Sequence, residues 1–126
     1  MPKKLKYSKD HEWVKVSGNT AYVGITDFAQ SELGDIIYVE VETVGQLLQQ
    51  DEILGTVEAV KTVSDLFMPV SGKIIAFNKD LETNPETINR SPYDAGWIIQ
   101  IELSQPDELK NLMCFEEYNN HTLQRQ

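Results

Sequence analysis

The sequence predicts an all-β protein, a sandwich or barrel of antiparallel sheets with short flanking helices and a C-terminal helix. Many short runs of β-branched and aromatic residues alternate with glycine-containing turns, which is typical of such folds. The length of 126 residues suits a single domain over 1–126. We expect its core to span about 5–118 and residues 119–126 to form a frayed tail.

The predicted strands occupy the middle of the chain and one segment near its end. They cover 21–25, 35–41, 53–60, 66–70, 73–77 and 97–103, with turns at 18–19, 45, 71–72 and 95–96. Within 35–41, alternation predicts that Ile36 and Tyr38 face one side of the sheet. Ile37, Val39 and Val41 would face the other side.

The predicted helices are short. Thr26 can cap a helix over 27–33, which Gly34 would close in the left-handed region. The other helical segments are a single turn over 84–88, a helix opening at 106–108 with Leu109, Leu112 and Met113 on one face, and a short helix over 115–118.

The charge balance is acidic, since 11 Lys and Arg stand against 20 Asp and Glu, a formal net charge of −9. This argues against nucleic acid and anionic membranes as partners and favours proteins with basic patches. The single cysteine, Cys114, excludes an internal disulfide; we expect it to be half-buried near a helix start. With no signal-type N-terminus and no apolar run of about 18 residues, the expected compartment is the cytoplasm.

Residues for catalysis by the protein itself are not evident. His11 and His121 lie at opposite ends of the chain, and we interpret His121 as a solvated residue of a polar tail. Neither a glycine-rich phosphate loop nor paired cysteines or histidines at metal-ligand spacing occur. We therefore expect no metal site and no free-standing enzyme.

The most informative segment runs from 55 to 72, where Lys61 is the only basic residue. Periodicity alone favours an exposed, solvated lysine on a strand. The point at which the segment turns is not indicated, because neither Asn-Gly nor Asp-Gly occurs in it.

Over 58–72 the sequence reads E-A-V-K-T-V-S-D-L-F-M-P-V-S-G, which resembles the attachment site of biotinyl/lipoyl carrier domains. More specifically, positions 5 to 118 resemble the H-protein family of the glycine cleavage system. The segments that carry this resemblance are 5–13, 23–27, 33–35, 55–72, 84–89, 91–93 and 96–97. Biotin domains typically have Met on both sides of their lysine, whereas Val60 and Thr62 flank Lys61 here. Lipoyl domains of 2-oxoacid dehydrogenases lack the H-E-W strand and the flanking helices, and they are tethered by linkers.

The resemblance implies a barrel-sandwich hybrid of the biotinyl/lipoyl type, with lipoate in amide linkage on Lys61. The lipoate would take an aminomethyl group from glycine decarboxylase (P protein) and deliver it to aminomethyltransferase (T protein). Dihydrolipoamide dehydrogenase (L protein) would then reoxidise it. A lipoate ligase or a lipoyl/octanoyl transferase would attach the cofactor, and a monomer would suit the shuttle. An alternative is a lipoyl-relay or regulatory carrier that hands lipoate to other proteins.

The resemblance also suggests which other residues form the site. Glu58, Ser64 and Asp65 would belong to the attachment hairpin, where Glu58 and Asp65 either help the ligase to recognise the tip or only solubilise the turn. Glu12, with Asp65, would line a cleft that shields the aminomethyl arm. Phe28 occupies a position where family members often have His, and some members have His near Glu32. This chain departs from that pattern, so the resemblance does not imply that an imidazole from these positions contributes to the cleft. The aromatic residues expected in the core or the cleft wall are Trp13, Tyr22, Phe77 and Trp97.

Overall fold

A computed structural model describes residues 5–123 of the chain. Within them the chain forms nine strands, four α-helices and one 3-10 helix. The strands are β1 (Leu5–Tyr7), β2 (Glu12–Ser17), β3 (Thr20–Ile25), β4 (Ile36–Glu40), β5 (Leu47–Leu48), β6 (Ile53–Ala59), β7 (Val63–Phe67), β8 (Gly72–Phe77) and β9 (Ile99–Leu103). The helices are α1 (Asp27–Leu33), α2 (Asp80–Thr83), α3 (Thr87–Arg90), the 3-10 helix (Pro106–Asn111) and α4 (Phe115–Leu123).

Two antiparallel sheets confirm the predicted fold class. One has six strands in the order β1-β2-β3-β9-β8-β5, and the other has three in the order β4-β6-β7. The sheets do not close into a barrel, since each retains edge strands. Val14, Val23 and Ile101 of the larger sheet form one buried cluster with Val39 and Val57 of the smaller sheet. Burial of this shared cluster supplies the main favourable term that holds the two sheets together.

Strand β2 is covered on both faces. Val14 belongs to the main core, whereas its neighbour Trp13 packs in a second cluster with Tyr7 and Tyr118. Gly24 stands opposite Trp13 in the register, and a Cβ at Gly24 would lie 2.7 Å from the indole ring. A glycine is therefore needed where the indole lies against β3.

Helix α1 has the bounds and caps that the sequence predicts. The Thr26 side chain accepts a hydrogen bond from the Ala29 N–H, and the N–H of Gly34 donates to the carbonyl of Gln30. Gly34 has a φ of 84°, a conformation that glycine adopts without steric cost.

The alternation predicted for 35–41 is wrong, because a register shift lies between Ile36 and Tyr38. Ile36 and Val39 are buried, while Ile37 and Tyr38 are each 50% exposed. A bulge inserts a residue into one strand and so reverses the faces of the residues that follow it.

Other boundaries also differ from the prediction. Strand β7 covers 63–67 rather than 66–70, since Met68 to Val70 leave the sheet at Pro69, which has no N–H to donate. Helix α3 begins at Thr87 instead of Pro85, and β9 begins at Ile99. The tail expected to fray from 119 is helical as far as Leu123, and 124–126 lie outside the described residues.

Candidate functional site

Lys61 lies at the tip of the β6–β7 hairpin. The N–H of Ala59 donates to the carbonyl of Thr62 at 2.8 Å, so Val60 and Lys61 are the two residues of the loop. Both are exposed. The N–H of Val60 donates to the carbonyl of Asp35 at 3.1 Å, which ties the tip to the start of β4. Within residues 5–123, no carboxylate lies within ion-pair distance of the Lys61 ammonium.

A cleft of about 180 Å³ opens between the start of β2, helix α1 and strand β7. Glu12, Ser64 and Asp65 line it, together with Phe28 and Glu32 from α1. Three of the residues predicted for the site are thus brought together, although Glu12 is far from the other two in sequence.

Glu58, by contrast, does not line this cleft. It pairs with Tyr38 on one side and Val63 on the other, on the outer face of the three-stranded sheet. The attachment hairpin therefore has two chemically different faces, one towards the cleft and one carrying Glu58.

Glu12, which lines the cleft, is almost fully buried. Its Oε1 accepts a hydrogen bond from the Ser8 hydroxyl at 2.8 Å, and its Oε2 accepts one from the Phe67 N–H at 3.0 Å. Burial raises the pKa of Glu12 to about 8, while these two hydrogen bonds act in the opposite direction. Its bond to Phe67 also links β2 of one sheet to β7 of the other.

A hydrogen-bonded cluster behind the cleft was not predicted from the sequence. The Tyr118 hydroxyl of α4 lies 2.6 Å from Thr26 Oγ1 and 2.8 Å from Nδ1 of His11. The His11 ring also packs against Phe28, with 4.8 Å between ring centroids. Since His11 lines the cleft together with Phe28, the cleft contains an imidazole.

Two further predictions about single residues are wrong. His121 is half-buried, with its ring 5.8 Å from that of His11, because α4 continues past the residues expected to form a tail. Cys114 does precede a helix, as predicted, but it is exposed.

The four aromatic residues have different surroundings. Trp13 is buried, and its indole N–H donates to the carbonyl of Pro92 at 2.9 Å. Tyr22 and Trp97 are partly buried against the cluster that contains Trp13, and Phe77 packs against the main core. They are core and flanking residues, as the sequence indicates, and none of the four lines the cleft beside the hairpin.

Between Leu5 and Leu123, no group of His, Cys, Asp and Glu could hold a metal ion. None of the helices in this part of the chain has the length and apolar character that a membrane span requires.

A two-sheet β fold that presents a lysine at a hairpin tip is characteristic of the biotinyl/lipoyl carrier class. The family model described as glycine cleavage H-protein matches residues 5–125, and the chain belongs to this family. Its members serve the glycine cleavage system as lipoyl carriers and are not catalysts.

Individual relatives agree with this assignment. The chain is 59% identical over 117 residues to the glycine cleavage system H protein of Salinibacter ruber, covering 93% of this chain and 94% of that one. Its identity to the H protein of Anoxybacillus flavithermus is 56% over 118 residues, covering 94% and 93% respectively. The crystal structure of a glycine cleavage system H protein from Mycobacterium marinum superposes with a TM-score of 0.88 at 34% identity, covering 97% of this chain and 98% of that one.

Proposed function

We propose that Lys61 carries lipoate in amide linkage, and that the protein shuttles the aminomethyl group of glycine from the P protein to the T protein. The L protein then reoxidises the carrier. One observation carries this proposal: Lys61 is exposed and, within residues 5–123, has no carboxylate partner, and it lies at a hairpin tip beside a cleft lined by a buried carboxyl group.

The residues around the tip fit a lipoyl group. When bound, it supplies a disulfide that is reduced and a sulfur that carries the aminomethyl group. The hairpin holds Lys61 away from the body of the protein. Asp65 and Ser64 lie between the tip and Glu12 along one wall of the cleft, and they present polar groups to a cationic amine.

Glu12 provides the strongest interaction in this proposal. Its carboxyl is largely protonated at pH 7, because burial raises its pKa to about 8. A cationic amine would favour the ionised form of Glu12. The carboxyl would lose its proton, and the carboxylate would accept a charge-assisted hydrogen bond from the amine. Since the carboxyl is away from bulk water, this pairing would hold the amine out of water and slow hydrolysis of the labile adduct.

The protein would act as a monomeric single domain over 1–126 in the cytoplasm. A carrier that meets three enzymes in turn needs rapid association and dissociation, which a small monomer provides. A lipoate ligase or a lipoyl/octanoyl transferase would modify Lys61, and Glu58 and Asp65 on either side of the tip would contribute to its recognition.

The first test is the intact mass of the protein purified from its own cells, with peptide mapping around position 61. We expect a mass increase equal to one lipoyl group, which Lys61→Arg removes. Lys73→Arg, at another exposed lysine, is the matched control and should leave the increase unchanged. An unmodified Lys61, in cells that lipoylate their other carriers, would contradict the proposal.

The role of Glu12 is tested on the loaded protein. Glu12→Ala should leave lipoylation intact but speed the hydrolytic loss of the aminomethyl group by about tenfold or more, the typical effect of removing a hydrogen bond to a charged group. Glu102→Ala, which alters an exposed acid on β9, is the control. An unchanged rate of hydrolysis would remove Glu12 from the site.

A further inference from the structure

Exposed apolar side chains concentrate beside Lys61, on the outer face of the three-stranded sheet. They are Ile37 (50% exposed), Tyr38 (50%), Val60 (68%) and Val63 (63%), which we call the tip patch. Tyr38 and Val63 flank Glu58 in one row across β4, β6 and β7, and Val60 follows in the turn. Large apolar side chains that cluster on the surface of a small protein mark a site of contact with another molecule.

The bulge in β4 contributes directly to this patch. In a regular strand, Ile37 and Tyr38 would face opposite sides of the sheet, and one of them would enter the core. The register shift leaves both on the surface, while Ile36 and Val39 fill the core positions. Two large apolar side chains thus occupy positions where they add little to core burial. Bulges next to functional sites often redirect side chains in this way.

The rim of the tip patch is acidic. Asp35 and Glu40 lie at the two ends of β4, and Glu58 lies within the patch, between Tyr38 and Val63. Lys61 is the only basic residue between Lys15 and Lys73. A complementary protein surface has apolar groups that meet Tyr38 and Val63 and basic groups that meet the carboxylates.

We infer that the tip patch is the docking surface for the enzyme that acylates Lys61. This inference rests on the proposed function and adds to it the face on which that enzyme lies. The Lys61 amine sits on a four-carbon stem and must enter the active site of the acylating enzyme, so this enzyme has to contact the residues around the tip. Enzymes that act on the far end of a lipoyl arm are separated from the tip by the whole length of the arm, and they need no such contact.

The outer face also leaves the cleft free. In the acylation step, the neutral Nζ of Lys61 attacks the carbonyl carbon of a lipoyl adenylate. The C–N amide bond forms, the C–O bond to the phosphate breaks, AMP leaves and the amine proton passes to solvent. An enzyme docked on the row of Tyr38, Glu58 and Val63 can present its adenylate without displacing anything from the cleft side of β7.

The test measures lipoylation of the unmodified protein by a lipoate–protein ligase supplied with lipoate and ATP. In the double variant Tyr38→Ser/Val63→Ser, we expect kcat/KM for the carrier to fall by about tenfold or more, mainly through KM, as for loss of central interface anchors. The control Val16→Ser/Leu47→Ser removes exposed apolar groups from the six-stranded sheet and should stay within about twofold of wild type.

Three outcomes would overturn the inference. The first is that the patch variant is lipoylated as fast as the wild-type protein. The second is that the patch variant, once lipoylated, loses as much activity with dihydrolipoamide dehydrogenase as it does with the ligase. The third outcome comes from an NMR titration of the wild-type protein with the ligase. It is that the amide signals on the cleft side broaden, whereas those in the row of Tyr38, Glu58 and Val63 do not. A wild-type protein that is not lipoylated on Lys61 at all would instead refute the proposed function.

Discussion

At the scale of single residues, Glu12 shows how burial changes the chemistry of a side chain. An ionised carboxylate in an apolar interior is costly unless hydrogen bonds compensate for the lost water. Glu12 has two such bonds, from Ser8 and from the Phe67 N–H, yet desolvation outweighs them and its pKa rises to about 8. A buried carboxyl group of this kind is largely neutral at pH 7, and a cation placed beside it favours its ionised form.

This shift makes stability depend on pH. The folded chain binds the Glu12 proton more tightly than the unfolded chain, in which the group titrates near 4.5. Its stabilising contribution is therefore full below about pH 4.5 and is lost as pH rises towards 8. Each unit of pKa difference corresponds to about 1.4 kcal/mol, so the loss amounts to a few kcal/mol at most.

The variant Glu12→Gln isolates this effect, because its amide stays neutral at every pH. Urea denaturation from about pH 5 to pH 8 should show the variant gaining free energy of unfolding relative to wild type as pH rises. Glu102→Gln, on exposed β9 surface, should give no such trend. Parallel curves for wild type and Glu12→Gln would show that the carboxyl titrates normally in the folded protein.

At the scale of elements, two contacts hold the site together. The bond between the Val60 N–H and the Asp35 carbonyl fixes the hairpin tip on β4. The Tyr118 hydroxyl joins α4 to Thr26, which caps α1, and to His11, which lines the cleft. The C-terminal helix therefore fixes two walls of the cleft without lining it.

Removing the Tyr118 hydroxyl should loosen this arrangement. Tyr118→Phe keeps the ring that stacks on Tyr7 at 4.7 Å but loses both hydrogen bonds. We expect the free energy of unfolding to fall by about 1–3 kcal/mol, with faster amide exchange in α1. Hydrogen exchange followed by mass spectrometry checks this, with Tyr38→Phe, at a half-exposed ring, as the control. Unchanged exchange in α1 would mean that α4 does not support the cleft wall.

Lipoylation should require the lysine at position 61 of the hairpin and should not occur when the lysine is moved by one position. In Val60→Lys with Lys61→Val, or Thr62→Lys with Lys61→Thr, an amine remains near the tip but points in another direction, because position 62 already pairs with Ala59. We expect lipoylation to be abolished in both, as measured by intact mass. Normal lipoylation of either shifted variant would show that the tip need not present its lysine at position 61.

At the scale of the whole molecule, charge governs how the carrier meets its partners. The net charge of −9 gives the protein an acidic surface, which attracts partners with basic patches and speeds their encounter. With the partner enzymes, KM for the lipoylated carrier should therefore rise several-fold between about 0.05 and 0.5 M NaCl. Free lipoamide, which is uncharged, is the control substrate for dihydrolipoamide dehydrogenase. A KM for the carrier that does not change with salt would exclude electrostatic steering.

Much of the fold could be predicted because its signals are local. Ile99, Ile101 and Leu103 alternate with polar residues and form a strand as expected. Thr26 and Gly34 mark both ends of α1. The misses have physical reasons: β5 has two residues and α2 has four, too few for periodicity to appear. The bulge in β4 has no recognisable signal in the neighbouring sequence.

The amino-acid sequence was enough to predict the class of fold and the capped helix α1, and it singled out Lys61 as the residue proposed for attachment, because caps, alternation and an attachment motif act over a few neighbouring residues. Which residues surround the cleft, by contrast, follows from the three-dimensional packing. Glu12 meets the Phe67 N–H across 55 positions, and His11 meets Tyr118 across 107. Such contacts depend on how the two sheets and α4 pack, and packing, through burial, is also what sets the protonation of Glu12.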